Sequence, residues 1–194
     1  MLAPMNMQLP LTEPHPLKLR IEDFELLNRA GVFDAYHKAE LIEGVIEVMN
    51  GEFRRHSRVK SQLTFRLQLA LEAIGSDFAA FSEATLALSP HNLPEPDVIV
   101  AIGGLDNRYY ERRDIAIVIE VADSSITRDL GAKCAMYAHE TVPEYWVVAL
   151  QTGEIHQFWK PRDGRFGDHR VVPLAGEVCS ATLPELTIDG RGIL

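Results

Sequence analysis

Apolar residues recur along this chain with two spacings, one typical of helices and one typical of strands. The stretch IEDFELLNRAG, from Ile21, spaces its apolar positions as a helix does and ends at Gly31, a residue type common at helix C-termini. The next stretch, AELIEGVIEVMNG, predicts two short strands that turn near Glu43 and Gly44. A short helix followed by a strand pair is therefore predicted.

Two further helices are predicted from amphipathic stretches. In HSRVKSQLTFRLQLALEAIG one helical face carries Val59, Leu63, Leu67, Ala70 and Leu71. The stretch TRDLGAKCAMYAHE follows Ser and Thr residues that can cap a helix. Its predicted core positions are Leu130, Cys134 and either Tyr137 or Ala138.

The remaining apolar blocks predict strands. AAFSEATLAL, PDVIVAI and IAIVIEVA are three candidates, and the last two are apolar on both faces, as central strands covered from both sides are. EYWVVAL, GEIHQFWK and HRVVPL, separated by turn residues, predict a further meander or hairpin. The order of elements favours an α+β or α/β core, with one mixed sheet flanked by helices.

The organisation of the chain is simple. Residues 1–18 carry four prolines and no periodic pattern, which predicts a flexible N-terminal arm, and residues 19–194 are long enough for a single domain. The N-terminal residues lack a basic start followed by an apolar core, and no apolar run approaches the roughly 20 residues of a membrane span. We therefore expect a cytoplasmic protein with no membrane segment.

The charge balance limits how the protein can hold nucleic acid. With 19 Lys and Arg against 28 Asp and Glu, the formal net charge is −9, which argues against a broad basic surface. The one dense basic group consists of Arg54, Arg55, Arg58, Lys60 and Arg66. Such a group is usually a solvated helix face, and it is also the best candidate here for contacting phosphates.

Glu120 is a carboxylate within the apolar run IAIVIEVA, where burial without a partner would be costly. Glu40 in AELIEG and Asp97 in PDVIVAI also stand where strands begin or end, and Lys133 follows on the next helix. Carboxylates that converge at a sheet edge bind hard divalent ions such as Mg²⁺. Together with a lysine that orients water or neutralises developing charge, they suit phosphodiester hydrolysis.

Each of these residues also has a plainer interpretation. Lys133 and Asp129 are spaced i, i+4 and can form an exposed ion pair worth roughly 0.2–0.5 kcal/mol. Glu40 can be a solvated residue at a strand edge, and Asp97 can end a turn. For Glu120 the alternative is a buried ion pair with Lys133 or an arginine. Spacing alone leaves both interpretations open.

Several motifs resemble those of one bacterial family. They are ELIEGVIEVM, the helix near His56, EPDVIVA, the stretch IVIEVADSSITRDLGAKCAMYAHETVPEYWVV, and GEIHQFW, in this order over roughly residues 18–160. The family is called "putative restriction endonucleases" and looks like a branch of the PD-(D/E)XK nuclease superfamily. The resemblance implies a restriction-endonuclease-like core.

The resemblance also implies a site. Asp97 matches the aspartate of the "PD" signature, Glu120 its second acid, and Glu40 an additional acid from an early element. Ala122 stands where the signature has lysine, and the family resembles nucleases whose lysine has moved to the following helix, here Lys133. Asp97, Glu120 and Glu40 would bind Mg²⁺, with Mn²⁺ as a substitute, in an endonuclease that acts on DNA.

Other positions carry weaker implications. His56 matches a histidine often seen at the start of the long helix, and we group it with Arg55 and Arg58 as candidates for substrate binding. Ala149 departs from the family, which often has aspartate there, but it lies outside the four-residue site. The superfamily makes a homodimer plausible. The alternative function is a catalytically silent nuclease-like fold that binds nucleic acid or protein through its basic group, with the acids and lysine kept as an ion-pair network.

Overall fold

The structure, a computed structural model, describes residues 16–194 as a mixture of short helices and strands. The helices are α1 (Ile21–Arg29), α2 (Arg54–Ala73), α3 (Ile126–Arg128) and α4 (Cys134–His139). The strands before the midpoint are β1 (Lys38–Ile42), β2 (Val45–Met49), β3 (Phe78–Ser82), β4 (Leu86–Ala87) and β5 (Val98–Ile102). The later strands are β6 (Tyr110–Glu111), β7 (Ile115–Ala122), β8 (Glu144–Ala149), β9 (Glu154–Arg162), β10 (Arg165–Pro173), β11 (Glu177–Cys179) and β12 (Thr187–Asp189).

A six-stranded mixed sheet with the order β10-β9-β8-β7-β5-β3 forms the centre of the fold. Its neighbours pair antiparallel except for β7 and β8, which run parallel because a helical connection joins them. β8, β9 and β10 form the predicted meander. The predicted α+β class, a mixed sheet flanked by helices, is confirmed.

Helices cover both faces of this sheet. The predicted face of α2 is confirmed, because Val59, Leu63, Leu67 and Leu71 are fully buried in one core with residues of β5, β7 and β8. Met136 and Tyr137 of α4 pack into a second core on the opposite face. The apolar character of both faces of β5 and β7 follows from this two-sided cover.

The predicted turn at Glu43 and Gly44 joins β1 to β2, and both residues have positive φ, at 51° and 79°. Two-residue hairpin turns of this kind match the strand twist. A Cβ at Gly44 would lie 2.7 Å from the Cβ of Lys18, so only glycine fits. The hairpin is held to the body through an isolated bridge between Leu41 and Leu93.

The helix predicted over TRDLGAKCAMYAHE is interrupted. Between α3 and α4 lies a π-helical turn, Asp129–Lys133, which contains the weak helix former Gly131. The predicted core positions Leu130 and Cys134 are only half-buried, whereas Asp129 and Lys133 are buried. The fully buried residues of this segment are therefore polar at its start, and its fully buried apolar positions begin at Met136.

The predicted domain bounds and the predicted absence of a membrane segment can be compared with the structure over residues 16–194 only. The predicted N-terminal arm, residues 1–18, falls almost wholly outside the described residues, and the single domain over residues 19–194 stays a prediction. Within the described part, every helix is too short or too polar to span a bilayer.

Glu144, the first residue of β8, anchors the C-terminal segment although its side chain is fully buried. Its carboxylate accepts hydrogen bonds from the Trp146 indole at 2.6 Å and from the Ser180 hydroxyl at 2.6 Å. It also accepts bonds from the backbone amides of Ala181 and Thr182, both at 2.9 Å to the nearer oxygen. This carboxylate thus satisfies donors that would otherwise be buried without a partner.

We expect Glu144→Gln to lower the free energy of unfolding by about 1–3 kcal/mol, because the new amide group turns a donor toward donors. Urea unfolding measures this change. The matched control is Glu177→Gln at an exposed position, with an expected change within about 0.5 kcal/mol. Equal stabilities for the two variants would contradict the anchoring role.

Candidate active site

A pocket of about 630 Å³ opens where β5 and β7 meet the start of α2 and the π-helical turn. His56, Asp97, Glu120 and Lys133 all line it. Glu40, on β1, lies beneath the pocket and contacts Lys133. The structure therefore brings the four residues predicted as catalytic into one region.

Strand register explains why Asp97 and Glu120 share this pocket. β5 and β7 are antiparallel with Val98 opposite Ile119, so Asp97, the residue before β5, stands opposite Glu120. Directly opposed residues point to the same face of a sheet, with Cβ atoms roughly 4.5–5.5 Å apart. The backbone amide of Val121 also donates to Asp97 Oδ2 at 2.7 Å.

Lys133 is the buried cation of the site, with 1% of its surface exposed. Its Nζ lies 2.8 Å from Glu120 Oε1 and 3.1 Å from Glu40 Oε2. The hydroxyl of Tyr137, one helical turn later, donates to the same Glu120 oxygen at 2.9 Å. Lys133 is thus part of a buried network and not of an exposed pair with Asp129.

Glu40 is fully buried, so its interpretation as a solvated strand-edge residue is wrong. The Glu95 amide donates to its Oε1 at 2.8 Å. Burial opposes ionisation of Glu40, but the charges of Lys133 and Lys38 outweigh it and lower its pKa. Oε2 lies near Lys133 Nζ but accepts no well-aligned hydrogen bond from the described residues.

His56 holds Asp97 in place. Its Nε2 lies 3.2 Å from Asp97 Oδ2 and 2.7 Å from the Val121 carbonyl oxygen. Burial disfavours the charged imidazole, but Asp97 and Glu52 outweigh that effect and raise the pKa of His56 to about 9. The same contacts lower the pKa of Asp97 against the opposing effect of its burial.

The surroundings of Glu120 disfavour its charged form. Burial raises its pKa to about 7, and the nearby carboxylates of Asp97 and Glu40 add to the rise although Lys133 opposes it. Lys133 lies between Glu40 and Glu120, and the imidazole of His56 contacts Asp97. Each of the three buried carboxylates therefore has a basic side chain within 3.2 Å.

Sequence reasoning missed several residues of the pocket. Glu52 lies 3.1 Å from His56 Nδ1 and is itself held by Lys60, whose Nζ is 2.7 Å from Glu52 Oε1. Arg128 and Asp129 also line the pocket. For Glu52 the signal in the sequence was its i, i+4 spacing with His56, which is equally common on exposed helices. Asp129 was predicted only as an exposed partner of Lys133.

The basic group on α2 is mostly engaged in the fold. Arg55 donates to the Leu150 carbonyl oxygen at 2.6 Å, and Arg66 donates to the Asp189 carbonyl. Lys60 is buried, and its ammonium donates a hydrogen bond to Glu52. Arg58 is exposed and lies outside the lining of the pocket. The structure therefore brings His56, but neither Arg55 nor Arg58, into contact with the acidic residues.

A family model described as "Uma2: Putative restriction endonuclease" matches residues 21–190. Because this match spans most of the chain, the protein belongs to that family. A search among curated proteins found no match.

The fold is also similar to a solved structure, that of a putative nuclease belonging to DUF820 from Anabaena variabilis. The TM-score is 0.66 at 14% identity, and the alignment covers 90% of this chain and 97% of the other. At this identity the likeness concerns the fold alone, which is restriction-endonuclease-like.

Lys133→Met should lower the free energy of unfolding in EDTA by about 3–5 kcal/mol, because it leaves Glu40 and Glu120 buried without their cation. Chemical denaturation measures the loss. Lys160→Met, at a side chain that is 74% exposed, is the control and should change stability by less than about 0.5 kcal/mol. A wild-type stability for Lys133→Met would show that the ion pairs contribute nothing.

Proposed function

We propose that this protein is a metal-dependent endonuclease that hydrolyses DNA phosphodiester bonds. One observation carries the proposal: Asp97, Glu120 and Lys133 converge on one pocket in a chain that belongs to a nuclease family. The register of β5 and β7 supports a shared site for the two acids. The family supports a nucleic-acid substrate.

Among the described residues, Asp97 has ligand atoms of Glu52 and His56 within 4.8 Å, which makes it the best-placed carboxylate for a divalent cation. Asp97 and Glu120 would hold the ion, and Glu40 would assist directly or through water, since hard cations prefer carboxylate oxygens. The Oε2 atom of Glu40, which accepts no well-aligned hydrogen bond from the described residues, supports this fit. A bound Mg²⁺, or Mn²⁺ in its place, would polarise a phosphoryl oxygen and lower the pKa of water.

The neighbouring residues would position these groups. His56 and the Val121 amide both contact Oδ2 of Asp97, which leaves Oδ1 for a ligand. Lys133 has three N–H donors, and two of them are directed at Glu120 and Glu40. The third would donate to the attacking water or to a phosphate oxygen, which stabilises negative charge as it develops.

DNA would be bound through a few residues in and around the pocket. Arg58 is exposed on α2, and His56 and Arg128 line the pocket itself. Arg55 would contribute less, since its guanidinium already bonds the Leu150 carbonyl. A homodimer and a cytoplasmic location remain parts of the proposal.

A second candidate is a catalytically silent nuclease-like fold that binds nucleic acid or protein. It is favoured by the contacts of Lys133, which pairs with Glu40 and Glu120 and so gives both acids a cation from the chain itself. In that case Asp97 and Lys133 would serve stability alone, and removing them would leave binding unchanged in a protein that never cleaves.

We expect wild-type protein to nick supercoiled plasmid with Mg²⁺ or Mn²⁺, and Asp97→Asn and Lys133→Ala to lower the rate by at least about 100-fold. Asp77→Asn, at an exposed aspartate, is the matched control and should cleave as wild type does. Circular dichroism of each variant separates lost activity from lost folding. Cleavage retained in both site variants would place the activity elsewhere, and no cleavage by wild type would favour the silent fold.

Arg58→Gln should weaken DNA binding and lower the slope of log affinity against log salt by about 1, because one phosphate contact is lost. Fluorescence anisotropy at several NaCl concentrations in EDTA measures this slope. Arg162→Gln, whose side chain is 87% exposed at the end of β9, is the control. Equal slopes for the two variants would discard Arg58 as a phosphate contact.

A further inference from the structure

Phe53, the residue that precedes α2, exposes a large apolar side chain at the lip of the pocket. Its surface is 80% accessible, and it lines the same pocket as Asp97 and Glu120. It packs in none of the three hydrophobic clusters and stacks on no other ring of the described residues. The ring therefore contributes little to the packing of the described residues.

The position of Phe53 relative to the carboxylates is set by α2. His56, three residues later, contacts Asp97 Oδ2 at 3.2 Å. Phe53 and Asp97 line the same pocket. A strand whose phosphate lies at Asp97 would thus have an adjacent base in the pocket that Phe53 borders.

The surroundings of Phe53 favour a nucleobase over an apolar protein surface. The pocket residues around it are mostly polar, among them Asn50, Glu52 and Gln151, and the next residue along the chain is the exposed Arg54. A protein contact needs a continuous apolar patch around its aromatic anchor. A base offers one flat face, and its sugar and phosphate suit polar and cationic neighbours.

We propose that Phe53 stacks on an unpaired base next to the scissile phosphate, so that the preferred substrate is single-stranded or locally unpaired DNA. This inference rests on the proposed nuclease function and names its substrate class. The ring can cover a base face only where no neighbouring base already covers it. An intact duplex offers such faces only at its ends, whereas the bases of a single strand are available along its length.

Binding to an oligonucleotide that contains 2-aminopurine tests the proposal, with the same strand in a duplex for comparison. Both are titrated with intact protein in EDTA, and affinity and quenching of the base fluorescence are recorded. Phe53→Ala should bind the single strand about 5- to 150-fold more weakly and lose the quenching, with duplex affinity unchanged. Phe53→Trp should retain both properties of wild type, since it keeps an aromatic face.

The matched control is Phe65→Ala. Phe65 is an exposed phenylalanine within α2, at a position outside the pocket. It should bind the single strand as wild type does. Unchanged single-strand affinity in Phe53→Ala, an equal loss on duplex and single strand, or absent single-strand binding by wild type would each overturn the proposal.

The nicking assay separates this inference from the function on which it rests. Phe53-dependent single-strand binding by a protein that does not cleave would contradict hydrolysis alone and would support the stacking role. Cleavage that needs Asp97 but proceeds on single strands equally in wild type and Phe53→Ala would contradict the stacking role alone.

Discussion

The ammonium of Lys133, buried between Glu40 and Glu120, is the interaction on which the site depends. These three residues come from the π-helical turn, β1 and β7, so one cation holds three separate parts of the fold together. Charges buried this deeply are tolerated only when they are paired and hydrogen-bonded. Tyr137 donates a further hydrogen bond to Glu120, and the Glu95 amide donates one to Glu40.

The strands around this network set the positions of the acidic residues. The antiparallel register of β5 and β7 sets Asp97 opposite Glu120, and His56 at the start of α2 fixes one oxygen of Asp97. His56 is held in turn by Glu52, and Glu52 by Lys60. These successive contacts hold the acidic groups in fixed positions. A reaction that depends on orientation and charge requires such fixed positions.

Much of this arrangement could be predicted from residues that are close in sequence. The stripe from Val59 to Leu71 and the turn at Glu43 and Gly44 follow local rules, and both are confirmed. The convergence of Asp97, Glu120 and Lys133 was expected from the family resemblance. Arg55 is different, because its role depends on the Leu150 carbonyl, 95 residues away in the chain. Likewise, periodicity predicts an unbroken helix where the structure has a π-helical turn, and the partners of Lys133 in this turn lie on distant β1 and β7.

If Asp97 and Glu120 share one divalent cation, as we propose, calorimetric titration with Mn²⁺ will detect it. We expect saturable binding by wild type and by the exposed-site variant Asp77→Asn. Asp97→Asn and Glu120→Gln should each weaken binding by at least about 10-fold, because each removes a charged ligand. Equal Mn²⁺ affinity in all four proteins would contradict the shared site.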